Sequence, residues 1–373
     1  MNAVARLTPL ADSNDLTVEA LRGVDAFLAL KREWDGLFAR AGRPQQLFQQ
    51  HALLGHWAKS YPDAAAGIAI VTVRAGGRLA AVAPLVLSRT LGVTRMRLMG
   101  APVAQFDDML IDAECGADAG ALLWRAIGAL GADVFETRRV RADSALAAVL
   151  PAGGVVTEMS QAPFACLSSR VDGGAPGPAY PAKERSNFRR RQRRLAETGA
   201  LAMTSHRAGE QASLLAARAI EIKRRALKAA GIVSPAVRSC GFETFFRLAA
   251  ADPRSGLLAT AIEIDGQPVA IDLSFLCKST AFGHVLATEP AMVQKGVGNL
   301  LVHHVFATAR AAGARTFDLL PPADAYKMHH ADATTPVQSA VYPFTARGRL
   351  FARAFHGTAI PLARRAMRAL AKG

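Results

Sequence analysis

Apolar residues recur along this chain in two rhythms, helical and alternating, and the order of those rhythms occurs twice. Near the start, "VDAFLALKREWDGLFARAG" and "LFQQHALLGHWAKSY" place Trp34, Leu37 and Phe38, then Leu53, Leu54 and Trp57, at the spacing of one helix face. "GIAIVTVRAGGRLAAVAPLVLSR" follows, two apolar runs around Gly76-Gly77, which predicts a β-hairpin. "TRMRLMG" predicts a further strand, "AGALLWRAIGALG" a helix, and "ADVFETRRV" a strand after it.

The second half repeats the sequence of elements. "GLLATAIEIDGQPVAIDLSFLCK" is again a hairpin, now around Asp265-Gly266. "TAFGHVLAT" is the following strand, "GNLLVHHVFATARAAG" the helix and "ARTFDLL" the closing strand. Side by side, "GRLAAVAPLVL" faces "GQPVAIDLSFL", and "GADVFE" faces "GARTFD". Each match is short, and the shared order of elements carries more weight than either. Between the halves lies "SSRVDGGAPGPAYPAKE", whose Gly and Pro content is that of a linker or exposed loop. The expected domains are therefore 1–175 and 176–373. After the linker, Phe188, Gln192 and Leu195 put a narrow stripe on a helix ending near Gly199. "QASLLAARAIEIKRRALKAAG" then predicts a long amphipathic helix and "GFETFFRLAA" a shorter one.

Length and composition fit this division. At 373 residues two domains are the default, and 51% hydrophobic residues supply two cores. No apolar run reaches the roughly 18 residues of a membrane span. The opening "MNAVARLTPLADSNDL" lacks the pattern of a secretory signal, so the expected location is cytoplasmic. Cys115, Cys166, Cys240 and Cys277 lie far apart with no C-x-x-C pair, and read most simply as buried thiols.

The net charge is +15, which invites a nucleic-acid reading. Of the 45 basic residues 36 are arginine, a bias that a high-GC genome produces without any partner. Two stretches are basic beyond that background. "KERSNFRRRQRRL" holds seven basic residues against Glu184, and the tail from Arg347 to Gly373 holds seven with no acid. In that tail Ile360, Ala363, Met367 and Leu370 fall on one helical face, and Arg364, Arg365, Arg368 and Lys372 on the other. Such a helix docks on its own domain or lies on an anionic membrane surface.

The chemistry centres on "MVQKGVGNLLVHHVF", where a predicted strand, a glycine pair and a helix follow one another. Free N–H groups opening a helix attract anions. Gly296 and Gly298 let the backbone approach a phosphate, and Lys295 adds a charge, so Gln294–Asn299 is a candidate pyrophosphate loop. It is not a P-loop, and the dinucleotide pattern breaks at Leu301. An ordinary tight turn is the competing reading.

Hairpin, strand, glycine loop, helix, strand resembles the core order of the GNAT superfamily, whose loop binds the pyrophosphate of acyl-coenzyme A. Over roughly residues 25–345 the chain looks more particularly like the CelD-like branch, acetyltransferases of cellulose and other exopolysaccharide synthesis. That likeness rests on "EWDGLFARA" with "LFQQHALLGHWAKSY", on "SNFRRRQRRLAETGAL", and on "GVGNLLVHHVFATARAAGARTFDLL" with "DAYKMHHAD". More distantly the chain is similar to the FemAB-like aminoacyl transferases. The resemblance implies an α/β fold of two tandem GNAT-like domains, each a mixed, mainly antiparallel sheet flanked by helices. It implies acetyl- or another acyl-coenzyme A as co-substrate, bound by Gln294, Lys295, Gly296, Val297, Gly298 and Asn299. A backbone N–H from Val285, Leu286 or Ala287 is implied for the acyl carbonyl. One position departs from the family: Val293 stands where Gln or Arg is usual, and Gln294 comes one residue late.

The matching place in the first half, "LIDAECGADAGALLW", is acidic and lacks the glycines. Its carboxylates repel a pyrophosphate, which makes the first domain a non-catalytic copy. Candidate catalytic side chains lie after the last core strand. Tyr326 and Lys327 match the family's recurrent Tyr-Lys step, with Tyr326 as acid for the thiolate and Asp318 as base or amine-binder. Asp324 is a further candidate, and His284 stands mid-strand. Each has a structural alternative: Asp318 as a cap or ion-pair partner, Tyr326 and His284 as packing residues, Lys327 solvated or holding an anion. Adjacent His303-His304 and His329-His330 cannot chelate from one helix face, and no H-E-x-x-H or G-x-S-x-G occurs. No metal site is expected.

Three functions follow. The first is acyl-coenzyme A-dependent N- or O-acyl transfer to a small-molecule or saccharide acceptor. The second is aminoacyl transfer from tRNA, with Arg189–Arg194 on the RNA backbone. The third is a catalytically silent module recruited to a polysaccharide or membrane assembly through the basic tail.

Overall fold

The computed structural model describes residues 16–167, 171–172, 175–176 and 182–354. The basic tail helix and most of the Gly/Pro-rich stretch fall outside those residues. The first half runs through β1 (Leu16–Arg22), α1 (Val24–Ala29), α2 (Lys31–Ala41), α3 (His51–Ser60), α4 (Pro62–Ala65), β2 (Ile68–Ala75) and β3 (Arg78–Thr90). It continues with β4 (Val93–Leu98), β5 (Leu110–Ile111), α5 (Gly116–Gly128), β6 (Val134–Arg141), α6 (Ala145–Val149) and β7 (Val155–Cys166). After the short pair β8 (Val171–Asp172) and β9 (Ala175–Pro176) come α7 (Ala182–Ala196), β10 (Leu201–His206), α8 (Glu210–Ala229), α9 (Pro235–Arg238) and α10 (Cys240–Ala251). The rest is β11 (Leu257–Ile264), β12 (Gln267–Cys277), β13 (Thr280–Thr288), α11 (Val297–Ala311), β14 (Thr316–Asp318), α12 (Ala325–His330), β15 (Ala333–Pro343) and α13 (Ala346–Phe351).

Both expected hairpins form, β2–β3 and β11–β12. Their turns put two successive residues at positive φ, Gly76 (53°) and Gly77 (80°), then Asp265 (52°) and Gly266 (72°). That is the type I′ turn, whose twist matches the strands it joins.

The chain forms two compact units. One extends to Gln161 and resumes at Pro336; the other is Ala162–Thr335. The division thus differs from the expected 175/176 boundary. In the first unit the strand order is β1-β2-β3-β4-β6-β15, so its last strand comes from near the chain's end. In the second unit it is β10-β11-β12-β13-β14, followed by the end of β7. Each half therefore takes its final strand from the other half's sequence, which a boundary drawn at the linker does not capture.

Both sheets are antiparallel except for one short parallel pair. In the first unit it is Arg95–Arg97 on Val134–Glu136; in the second, Thr280–Phe282 on Thr316–Asp318. Beyond three residues the strands of each pair separate. Glu136 and Asp318, equivalent in the internal repeat, both stand where pairing ends.

Helix α5 lays Leu122, Leu123, Ala126 and Ile127 on Val71, Val73, Ala81, Ala83 and Leu85 of the first sheet. Helix α11 lays Leu300, Leu301, Val305 and Phe306 on Ile262, Ala270, Ala281 and Phe317 of the second. Each such large side chain, fully buried, contributes about 1.5–3 kcal/mol. On α10, Phe245 and Phe246 pack against Phe275 of β12. No disulfide joins the four cysteines; only Cys277 is buried, and Cys240, at the start of α10, is exposed, contrary to the expectation of four buried thiols. Among the described residues, no helix is long and apolar enough to cross a membrane.

Candidate active site

The second unit's site starts from the gap between β13 and β14. The β12–β13 register steps from Leu273↔Val285 to Ser274↔Gly283, so His284 is the extra residue of a bulge. Residues after Phe282 have left β14, which opens that edge of β13. Leu286 faces the opening, since its carbonyl oxygen accepts a hydrogen bond of 3.0 Å from Lys223 Nζ on α8. On a strand, N–H and C=O of one residue point to the same edge. Of Val285, Leu286 and Ala287, Leu286 is thus the one whose N–H is directed into the gap.

β13 then leads through a 3-10 turn (Pro290–Lys295) to Gly296, which caps α11 with φ 70°. A side chain is strained in that conformation. No side chain caps the helix, and the N–H groups of Val297, Gly298 and Asn299, in its first turn, have no partner within the helix. The side chain of Val297 is core, so only its backbone is available to a ligand. Gln294 and Lys295 are exposed. Gly298 faces Thr288, where an added Cβ would make an ordinary 3.5 Å contact with Oγ1.

Helix α7 covers this loop. Its stripe holds as expected at two of three positions: Phe188 and Leu195 are buried, while Gln192 is exposed. Phe188 packs on His303 of α11, ring centroids 4.5 Å apart, and Leu195 joins the core beneath. This docking brings Arg191 over the glycine. A Cβ on Gly296 would lie 3.1 Å from Arg191 Nε and 3.3 Å from Cδ. Arg191 alone of the run Arg189, Arg190, Arg191, Arg193, Arg194 is half-buried.

A cleft of about 400 Å³ adjoins, lined by Asn187, Phe188 and Arg191 of α7, Asn299 of α11, and Ala325, Tyr326 and His329 of α12. Tyr326 is partly exposed there. Burial, with the charges of Asp324 and Asp272, holds its hydroxyl up to about 12, so it carries its proton at neutral pH.

The other expected residues separate. Asp318 is buried and accepts the Leu320 N–H at 2.8 Å. Lys327, also buried, donates to the Leu320 carbonyl at 2.8 Å. Together they brace one residue of the turn after β14, itself at φ 61°. The His284 ring is packed among Phe242, Phe246 and Phe275. Tyr326 and, from the 294–299 loop, Asn299 line the cleft; Asp318, Lys327 and His284 do not.

Sequence reading missed Asp272 and Lys223. Asp272 is buried mid-strand in β12, opposite Leu286, with Ser274 Oγ donating to its carboxylate. Burial pushes its carboxyl up to about 7. A signal existed: in the paired segments "GRLAAVAPLVL" and "GQPVAIDLSFL", Asp272 and Ser274 stand against Ala83 and Leu85, both core residues. Burial pulls the Lys223 ammonium below the usual lysine range, and Asp324 partly restores it. Among the described residues, no group of three or more His, Cys, Asp or Glu is arranged to hold a metal ion.

Comparison with known proteins agrees with this geometry. Residues 182–328, from the start of α7 through Tyr326 and Lys327, match the family described as Acetyltransferase (GNAT) domain. The second unit thus carries a GNAT-superfamily acetyltransferase domain. No curated protein matches the chain. Among solved structures it is similar to FemX, with 12% identity, a TM-score of 0.56, and 90% of this chain and 99% of that one covered. It is also similar to a tandem GNAT protein from the clavulanic acid biosynthesis pathway (16%, TM-score 0.50, 88% and 99%). L-PGS from Bacillus licheniformis is a third (11%, TM-score 0.51, 90% and 96%). At such identities the likeness is one of fold, and that fold is the expected pair of GNAT-type units.

Proposed function

We propose that the chain is an acyl-coenzyme A-dependent N- or O-acyltransferase whose second unit passes the acyl group directly to an amine or hydroxyl. The observation that supports this most is the placing of Arg191, which lies over the left-handed Gly296 at the open start of α11 and lines one cleft with Asn299 and Tyr326. Coenzyme A supplies the acyl group as an activated thioester. The N–H groups of Val297, Gly298 and Asn299, with Arg191 and Lys295, suit its pyrophosphate. Leu286 N–H polarises the acyl carbonyl. Asp272, titrating near neutrality, takes the proton from the acceptor, and Tyr326 Oη gives its own to the departing sulfur. Solvent then takes the proton from Asp272 and reprotonates Tyr326. The first unit has no such loop: residues 99–115 separate β4 from α5, whose first turn holds Asp118. In this reading it binds no donor. The CelD-like resemblance makes a saccharide of an exopolysaccharide or cell-envelope pathway the acceptor to try first.

The direct test is thermal stability with a panel of acyl-coenzyme A species, since a ligand that binds the native state raises the melting temperature. No shift at millimolar concentration with any of them sinks the proposal. Aminoacyl transfer from tRNA is the second reading, favoured by a groove lined by Arg189, Gln192, Arg193 and residues 199–201. It requires salt-dependent tRNA binding in place of that shift.

Two expected results follow. Arg191→Gln weakens coenzyme A binding about 10-fold by calorimetry, the loss of roughly one charge-assisted contact. The same change at exposed Arg194 has no effect; equal losses at both sites mean a diffuse field instead of a clamp. Tyr326→Phe keeps the ring and removes the proton. Its turnover falls by ~100-fold at unchanged melting temperature, and unchanged turnover excludes Tyr326 as the acid.

A further inference from the structure

The first unit repeats the strand gap of the second but fills it with arginine. Its parallel pairing stops at Arg97↔Glu136, while β6 runs on to Arg141, paired on its other edge with β15. That ladder shifts register between Gln338 and Ala340. At the shift Arg139 takes φ 49°, a backbone state L-residues adopt only at a cost, held by its N–H donating to Ser339 Oγ at 3.0 Å. The bulge breaks the alternation, so that Arg138 and Arg139 succeed one another just past the point where β4 has left.

Four guanidinium groups collect there, and their partners do not balance them. Arg95 makes a two-pronged ion pair with Glu136, at 2.8 and 2.6 Å. Arg97 reaches the same carboxylate only at 4.0 Å. Arg139 donates to the side-chain oxygen of Gln105, a neutral acceptor. Asp107 is buried and accepts the backbone N–H of Arg138 at 2.7 Å. Burial holds its carboxyl up to about 7 despite Arg138 and Arg97, so at neutral pH it neutralises them only in part. Exposed Glu158 is the remaining carboxylate acting on Arg139. Burial and mutual repulsion push both Arg97 and Arg139 below the usual arginine range. Half-buried positive charge in excess is favourable only when an anion completes it.

We propose that the first unit binds a small oxyanion, the phosphate or carboxylate group of a metabolite, at the end of β4 and β6 on Arg97, Arg138 and Arg139. Guanidinium forks suit both groups, each offering paired oxygens. This gives the copy without a glycine loop a binding role of its own.

The probes are inorganic pyrophosphate and citrate, which separate the phosphate and carboxylate forms. Calorimetry is run on Gly296→Glu protein, where the second unit's loop is blocked. One of the two anions binds this protein, and adding Arg97→Gln with Arg138→Gln weakens it at least 10-fold; Arg138→Lys, which keeps the charge, loses less. The difference between wild type and Gly296→Glu reports the donor loop, so failure of that reading shows separately. On the unaltered chain, the same anion protects Arg97 and Arg138 from phenylglyoxal, read by peptide mass spectrometry. Gly296→Glu protein that binds neither anion, or an anion that leaves both arginines unprotected, overturns the proposal.

Discussion

Replacing Gly296 with glutamate abolishes donor binding, with a loss above 100-fold in coenzyme A affinity. Three effects act together. The residue sits at φ 70°, where a side chain costs about 1–2 kcal/mol. Its Cβ would lie 3.1 Å from Arg191 Nε, so the arginine must shift. The new carboxylate then stands where we propose that the pyrophosphate sits, and it pairs with Arg191 itself, turning the proposed cationic clamp into an internal ion pair. Gly296→Ala separates these causes, because it keeps the strain and the contact and adds no charge. The alanine variant loses part of the affinity and the glutamate variant nearly all of it. Gln294→Ala, at an exposed position of the loop, changes little. Calorimetry with coenzyme A decides: a glutamate variant that binds like wild type shows that the anion is held elsewhere.

Much of this site is legible in the sequence because it depends on local geometry. A hairpin turn needs positive φ at two successive residues, and Gly76-Gly77 and Asp265-Gly266 announce it. Phe188 and Leu195 mark the inner face of α7 by spacing alone. What spacing cannot give is the partner of that face. The docking of α7 on α11, and hence Arg191 above Gly296, is a contact across more than a hundred positions of chain. Arg191 reads as one of five similar arginines until packing singles it out.

The exchanged strands were hidden for another reason. "VVTEMSQAPFAC" and "ATTPVQSAVYP" carry polar residues at both parities, with no clean alternation to mark a buried face. Their pairing to the opposite half is a matter of topology, which composition and period do not encode. Asp318 and Lys327 show the converse. Both were visible as chemistry-bearing residues, yet the structure sets them on the N–H and C=O of Leu320. A left-handed leucine at a turn demands such bracing, and neither residue type announces which of the two tasks it performs.

Asp272→Asn raises stability and removes activity, with opposite dependence on pH. The native carboxyl titrates near 7 because burial disfavours its charge, against 3.8 for an ordinary aspartate. A native pKa above the unfolded one means that the folded protein holds this proton more tightly. The resulting stabilisation is complete below about pH 4, and it is lost as pH rises through 7. Asparagine is neutral throughout and still accepts from Ser274. The variant therefore melts close to wild type at pH 4 and several degrees higher at pH 8.5. Turnover moves the other way. In wild type it rises with pH through about 7 as the carboxylate forms, and the variant loses ~100-fold together with that rise. A variant with the stability gain and an intact pH–rate profile shows that Asp272 is only a buried acid, and the proton acceptor must then be sought at Asp324, whose charge already acts on Tyr326 and Lys223.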